Sequence, residues 1–286
     1  MSAAKPLITR FAPSPTGYMH LGHAYAALFA WDAARRSGGR FVIRIEDIDR
    51  GRCRPGFEEA IFEDLRWLGL DWDGTARRQS DHMEDYAAAL TRLDELGVIY
   101  PCFCTRSEIR IEIKHANEAP QGPDGPVYPG TCRELAFDER KQLILMGKPH
   151  AWRLDIARAL EITGPLEWTD RGAGVQAADP TSAGDVIVAR KDVPTSYHLS
   201  VTIDDYLQGV TLVTRGDDLF HASGIHRVLQ ALLGLEPPVW HHHPLITDSN
   251  GVRLAKRNRA MTLRSLRRAG KTPAEVRSMV GYEKQQ

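Results

Sequence analysis

The fold is decided near the start of the chain, where residues 7–45 read LITRFAPSPTGYMHLGHAYAALFAWDAARRSGGRFVIRI. The β-branched and aromatic residues at 7–11 predict a short strand, and the proline- and glycine-rich residues 13–17 predict a tight loop. Residues 21–36 favour a helix that ends at a glycine pair. Residues 41–45 then form a second strand. Two strands joined by a helix predict a βαβ unit with a right-handed crossover.

This unit brings candidate functional residues into one crevice. Ligands of such sheets bind outside the carboxyl ends of the strands, where the loop at 13–23 and Glu46 meet. His20 and His23, three residues apart, share one face of the helix start beside backbone N–H groups that attract anions. Gly22 would let a flat base approach the backbone. The arrangement suits stabilisation of a phosphoryl group under nucleophilic attack; two surface histidines without function are the alternative.

Composition and charge exclude several classes of protein. The 286 residues are 42% hydrophobic and 26% charged, which excludes a largely disordered chain. The 37 basic and 37 acidic residues balance, so no uniform positive field indicates a nucleic-acid partner. Four cysteines are too few for a disulfide scaffold. No signal peptide or membrane span is indicated. We expect a cytoplasmic monomer with no membrane partner.

The rest of the chain is organised around an insertion. Amphipathic helices are predicted near residues 57–68 and 83–93. Seven of the 13 residues 118–130 are proline or glycine, which indicates an irregular loop inside an insertion over residues 100–179. Regular structure is predicted again beyond the insertion, at residues 185–190, 200–203 and 210–213 and in a helix over residues 217–233.

Three ordered motifs resemble those of a known family. Residues 10–17 with 20–23 (RFAPSPTG and HLGH) resemble the nucleotide-binding signature of class I aminoacyl-tRNA synthetases, in the glutamyl and glutaminyl branch. Residues 44–49 (RIEDID) resemble the second block of that branch, and residues 254–257 (LAKR) its mobile lysine loop. The resemblance implies an α/β fold with a Rossmann-like parallel sheet and an inserted zinc-containing subdomain. The expected domains are 1–99, 100–179 and 180–286.

Within this branch the sequence resembles the glutamyl-queuosine tRNA(Asp) synthetases. Only residues 258–286 follow Arg257, which we expect to be too few for an anticodon-binding region. The resemblance implies an ATP-dependent ligase that activates L-glutamate without needing tRNA. It then attaches glutamate to the queuosine base of tRNA(Asp). A minimal synthetase that charges a tRNA 3′ end and a non-catalytic tRNA- or amino-acid-binding paralogue remain alternatives.

The family's site residues match individual positions here. The resemblance implies glutamate binding by Arg10, Ser14, Glu46, Tyr197 and Arg215. An arginine fork pairs with a carboxylate and opposes the donor of a glutamine amide, which favours glutamate. An arginine–carboxylate pair that only pins strand ends is the alternative. The implied ATP-binding residues are Pro13, His20, Gly22, His23, Arg253 and Lys256.

His20, His23 and Lys256 are the expected catalytic residues, and Mg²⁺ is expected to arrive with ATP. The lysine loop departs from the family pattern, because Arg253 stands for a lysine and Ala255 for a serine. The charge is kept at the first position, whereas a hydroxyl is lost at the second.

The insertion contains a candidate metal site. Cys102, Cys104, Tyr128 and Cys132 resemble the family's ligands for one structural Zn²⁺, and thiolates suit tetrahedral zinc. Three buried thiols without metal are the alternative.

Two other clusters are interpreted as structural. Adenylate formation needs no general base, because the substrate carboxylate is already ionised at neutral pH, so Asp204 and Asp205 are expected to act as anchors. The histidines at 241–243 are expected to contact nucleotide or to pack, rather than to bind metal.

Overall fold

A computed structural model describes residues 6–105, 107–109, 121–122, 125–246 and 261–282. The strands are β1 (Ile8–Phe11), β2 (Arg40–Ile45), β3 (Arg77–Arg78), β4 (Ile99–Cys102), β5 (Gln121–Gly122), β6 (Gly125–Pro126), β7 (Ala151–Leu154), β8 (Glu167–Asp170), β9 (Gly174–Ala177), β10 (Ile187–Ala189), β11 (Leu212–Gly216) and β12 (Val239–His243). The helices are α1 (Leu21–Arg36), α2 (Pro55–Trp67), α3 (Met83–Glu95), α4 (Phe137–Leu145), α5 (Ile156–Thr163), α6 (Tyr197–Leu207), α7 (Ala222–Leu233), α8 (Leu263–Arg268) and α9 (Pro273–Met279).

The central layer is a largely parallel sheet. Strands β1, β2 and β3 pair in parallel, and so do β11, β12 and β8, with β9 antiparallel at the edge. The two groups meet at β1 and β11, where the Thr211 N–H donates to the Ile8 carbonyl at 2.9 Å. The order across the layer is therefore β3-β2-β1-β11-β12-β8-β9. The α/β class with a parallel sheet is as predicted.

Helix α1 connects β1 to β2 and has the predicted bounds. Its inner face is small and apolar, with Ala24, Ala27 and Leu28 fully buried. At its end Gly38 has φ +65°. Gly39 has no room for a side chain, since a Cβ there would lie 1.9 Å from the Leu7 carbonyl oxygen. The glycine pair therefore lets the chain turn tightly from α1 into β2.

A second, antiparallel sheet lies beside the parallel one. Strand β7 pairs with β4 on one side and β10 on the other. These pairings cross both ends of the insertion predicted at residues 100–179. Strand β10 lies beyond the insertion but pairs with β7, whereas β8 lies inside it but pairs with β12. The bounds of the inserted subdomain therefore stay a prediction.

The C-terminal helices complete the core around α1. Leu263 and Leu266 of α8 and Val276 of α9 are buried with the apolar residues of α1, β2 and α2. Leu263 N–H donates to the Met19 carbonyl at 2.8 Å, just before α1. Within the described ranges, no helix is long and apolar enough to cross a membrane.

Candidate functional site

A cleft of about 630 Å³ opens where β1, β2 and β11 end. The sequence placed the site at this edge, since residues from different strand ends meet there. Seven of the predicted ligand-binding residues line the cleft: Arg10, Pro13, Ser14, His23, Glu46, Tyr197 and Arg215. His20 and Gly22 lie next to it at the start of α1.

The two histidines of the first motif cap α1. The Gly22 N–H donates to His20 Nδ1 at 3.1 Å, and the His20 N–H donates to His23 Nδ1 at 3.2 Å. Their ring centroids are 3.9 Å apart. Because each Nδ1 accepts a hydrogen bond, the proton of each neutral ring lies on Nε2. Each ring therefore carries a donor, at the positive end of the α1 dipole.

Arg10 and Arg44 share one carboxylate. Arg10 Nε and Arg44 Nη1 donate to Asp205 Oδ1 at 2.9 and 2.7 Å, and Arg44 Nη2 lies 3.2 Å from Glu46 Oε1. Burial raises the pKa of Asp205, but the two guanidinium groups outweigh burial and the net pKa is lowered. For Glu46 burial prevails over Arg44 and Arg10, and the pKa is raised. Arginine–carboxylate pairs therefore do hold the strand ends together, but Arg10 and Glu46 of these pairs also line the cleft.

Arg215 contacts neutral partners instead. Its guanidinium donates to His242 Nε2 at 3.1 Å and to Ser223 Oγ at 2.6 Å, and Nη1 lies 3.2 Å from His226 Nδ1. Burial lowers the pKa of Arg215. Sequence reasoning identified Arg215, but it did not identify His226 as a partner, because that contact depends on the packing of α7 against β11. Nothing in the sequence around His226 or His242 indicates that these residues contact Arg215.

Asp204, the first acidic residue of α6, is an anchor, as predicted. Asp204 is fully buried and accepts from Arg77 Nε at 2.7 Å, Gln79 Nε2 at 2.8 Å and Tyr86 Oη at 2.9 Å. These contacts tie α6 to β3 and α3. Residues 200–203, for which the sequence predicted only regular structure, lie within this helix.

The three predicted cysteine ligands meet in one cluster. The thiol sulfurs of Cys102, Cys104 and Cys132 lie within 4.8 Å of one another. Tyr128 Oη lies 3.5 Å from Cys102 Sγ and 3.7 Å from Cys104 Sγ. Tetrahedral zinc with Zn–S bonds of about 2.3 Å separates its sulfur ligands by about 3.8 Å. The donor set and its spacing therefore fit a zinc ion.

The lysine loop predicted at residues 253–256, with Arg253, Ala255 and Lys256, is not among the described residues. On one side of the loop, β12 ends at His243 in the sheet that carries the cleft. On the other side, Thr262 forms a backbone bridge with His20. The described residues on either side of segment 247–260 therefore belong to the sheet that carries the cleft and to the bridge with the nucleotide motif.

The comparisons with known proteins agree with this architecture. The family model of tRNA synthetases class I (E and Q), catalytic domain, matches residues 6–282. A glutamate tRNA ligase from Elizabethkingia meningosepticum, solved in complex with its amino acid, superposes with a TM-score of 0.76 at 28% identity. The match covers 89% of this chain and 52% of that chain. The chain belongs to the class I tRNA synthetases of the glutamate and glutamine type, and it is a ligase.

Curated relatives narrow the family assignment further. The chain is 49% identical over 280 residues to the glutamyl-Q tRNA(Asp) synthetase of Rhodobacter capsulatus, covering 96% of this chain and 100% of the relative. It is 44% identical to a protein of the same name from Nocardia farcinica, over 95% of this chain and 82% of the relative. The resemblance to glutamyl-queuosine tRNA(Asp) synthetases is thereby confirmed.

Proposed function

We propose that the protein activates L-glutamate with ATP, without needing tRNA, and transfers the glutamyl group to the queuosine base in the anticodon of tRNA(Asp). The glutamate α-carboxylate attacks the α-phosphate of ATP and displaces pyrophosphate. A hydroxyl of the queuosine ring then attacks the adenylate carbonyl and releases AMP. We further propose that the enzyme works as a monomer in the cytoplasm, where its tRNA substrate and reduced thiols coexist.

The charge of the cleft is the observation that carries the amino-acid assignment. Arg10 and Arg44 are compensated by Asp205 and Glu46, whereas Arg215, which also lines the cleft, has no carboxylate partner among the described residues. The neighbouring Arg77–Asp204 pair is neutral in itself. Glutamate has a net charge of about −1 at neutral pH and glutamine has none. The additional carboxylate of glutamate can therefore compensate Arg215, whereas the amide of glutamine leaves this buried positive charge uncompensated.

We base the proposed residue roles on this geometry. We assign the substrate carboxylates to Arg10 and Arg215, with Ser14 and Tyr197 as neutral contacts. We assign the substrate α-ammonium to Glu46, because an adjacent cation favours the ionised form of this carboxyl group.

The phosphates of ATP are assigned to the start of α1 and to the lysine loop. His20 and His23 donate from Nε2 to the phosphate that gains charge, close to Pro13 and Gly22. Arg253 and Lys256 lie in the sequence between β12 and Thr262, which forms a backbone bridge with His20, so we assign them to the phosphates as well. Mg²⁺ enters with ATP, held mainly by phosphate oxygens and water.

We propose that Cys102, Cys104, Tyr128 and Cys132 hold one structural zinc ion. Burial and the neighbouring thiols raise the pKa of Cys104 to about 12, so three packed thiols cannot all ionise without a cation. Zinc binding supplies roughly 10–16 kcal/mol in small zinc domains, which is enough to order a loop rich in proline and glycine. The ion has no part in the chemical steps.

The acceptor is supported by the relatives, two of which are named glutamyl-Q tRNA(Asp) synthetase. The test supplies labelled glutamate, ATP and the enzyme with two bulk tRNA pools, one from cells that make queuosine and one from otherwise identical cells that cannot. Label in the queuosine-containing pool alone is expected. Equal label in both pools would mean that a tRNA 3′ end is the acceptor, as in a minimal glutamyl-tRNA synthetase.

A tRNA-free assay tests the first step separately. Glutamate-dependent exchange of pyrophosphate into ATP is expected, with glutamine much less effective. Binding of both ATP and glutamate with no exchange would instead identify a non-catalytic paralogue.

A further inference from the structure

Arg10 and Arg215, which both line the cleft, differ in the groups that hold them. Arg10 is bound by the carboxylate of Asp205 and by the Thr214 carbonyl. Arg215 is held by His242, His226 and Ser223, and within the described part of the chain it forms no salt bridge. A carboxylate partner compensates the charge of a guanidinium before any substrate arrives, whereas neutral acceptors orient it and leave its charge available.

The hydrogen bonds fix the tautomers of both histidines. A guanidinium can only donate, so the nitrogens that face Arg215 must carry no proton. The proton of His242 then lies on Nδ1, which is 2.8 Å from Asp170 Oδ2. The proton of His226 lies on Nε2, which is 3.2 Å from His198 Nδ1. Each histidine therefore receives from Arg215 on one side and donates to a second partner on the other.

Asp170 is itself fixed in place. Its Oδ1 accepts from the backbone N–H groups of Gly172 and Ala173 at 2.8 and 2.9 Å, and its Oδ2 accepts from the His242 N–H at 3.0 Å. The chain of contacts thus runs from the β8–β9 turn through β12 to the cleft. Burial lowers the pKa of His242 to about 4, so this histidine stays a neutral acceptor at pH 7.

We propose that His242 and His226 are positioning residues, which hold Arg215 through neutral acceptors so that its charge is available to a substrate carboxylate. Asp170 sets the tautomer of His242 on which this depends. The inference rests on the proposed glutamate site, and it deepens that site by naming what sets the orientation of its arginine.

Paired amide substitutions test the proposal, because asparagine and glutamine replace different nitrogens of histidine. An asparagine amide overlies Nδ1, and a glutamine amide overlies Nε2. His242→Gln can keep the acceptor for Arg215, whereas His242→Asn can keep only the link to Asp170. At the second position the pattern reverses, because His226→Asn keeps the acceptor and His226→Gln loses it.

The readout is the KM for glutamate in tRNA-free pyrophosphate exchange, with the KM for ATP and the thermal midpoint as controls. Loss of a hydrogen bond to a charged group predicts a rise in the glutamate KM of at least about tenfold for His242→Asn and His226→Gln. His242→Gln and His226→Asn are expected to stay within about threefold of wild type. The KM for ATP is expected to stay unchanged in all four.

The crossed pattern separates positioning from packing. If the two histidines only fill space or link β12 to β8, the amide that keeps the lower glutamate KM will not change from glutamine at position 242 to asparagine at position 226. That result overturns the proposal. A variant that does not fold is recognised by its thermal midpoint and excluded. The asparagine and glutamine variants at the other position then test the proposal. Absence of exchange in the wild-type enzyme would refute the proposed function, and the Kd for glutamate of the four variants would then test the positioning of Arg215 separately.

Discussion

Replacing Asp64 by asparagine should make the stability of the protein less sensitive to a rise in pH from 5 to 8. Asp64 lies on α2, fully buried in the core that α8 completes. Among the described residues neither of its carboxylate oxygens accepts a hydrogen bond, and its nearest cation is Arg267, at 3.6 Å. Burial outweighs the attraction of that cation and raises the pKa of Asp64 from 3.8 to about 6.

The sign and size of the effect follow from linkage. Because the pKa is higher in the folded state, folding favours the protonated carboxyl, and this contribution is lost as pH rises through about 6. The full difference between the ordinary and raised pKa is worth about 3 kcal/mol at pH 8, and about half of it has already developed at pH 5. Asparagine cannot ionise. The variant should therefore gain about 1.4 kcal/mol over wild type between pH 5 and pH 8.

Urea denaturation at the two pH values measures this difference, and the constant cost of burying an asparagine cancels. Glu63→Gln is the matched control, since Glu63 is the adjacent residue and pairs with the same Arg267 at 2.8 Å, but it is exposed. Its pKa is lowered mainly by that hydrogen bond, so its stabilising contribution is lost only as pH falls through the acid range, and Glu63→Gln should show little change between pH 5 and pH 8. An equal stability gap for Asp64→Asn at pH 5 and pH 8 would refute the argument.

Three further outcomes are expected. His23→Ala should lower pyrophosphate exchange at least about a hundredfold, because one lost transition-state donor costs about 2.7–4 kcal/mol; near-normal exchange in the folded variant would remove the assigned role. Metal analysis should find one zinc per chain, lost in Cys132→Ser but kept in Cys53→Ser; zinc in both variants would contradict the ligand set. Tyr86→Phe should lower the free energy of unfolding by about 1.5–3 kcal/mol through the lost bond to Asp204, and an unchanged urea midpoint would contradict this.

The sequence was informative where structure depends on neighbours in the chain. The bounds of α1 follow from a run of helix-favouring residues between a proline-rich loop and two glycines. The position of the cleft follows equally from local order, because parallel strands joined by a helix place their carboxyl ends at one edge. The segment 200–203 shows the limit of such reasoning, since its β-branched residues did not specify whether it forms a helix or a strand.

Contacts between distant residues could not be predicted in the same way. Arg10 and Asp205 are 195 positions apart, and their pairing requires the packing of α6 behind the sheet. The boundaries of the inserted subdomain depend likewise on strand pairing, which joins β10 to β7 and β8 to β12. Hydrophobic patterns indicate that such strands exist, but many partners would bury them equally well.

The helical form of residues 197–207 explains why Arg10 and Arg215 have different surroundings. In a strand, the adjacent carboxylates of Asp204 and Asp205 would point to opposite faces. In a helix they are separated by about 100° and can both reach the sheet side. Asp205 therefore compensates Arg10, and Asp204 supports the neighbouring elements. Arg215 lies against α7 and β12, which contribute histidines in place of carboxylates. The uncompensated charge of Arg215, to which we attribute the proposed selection of glutamate, is thus a consequence of which element packs behind each strand end.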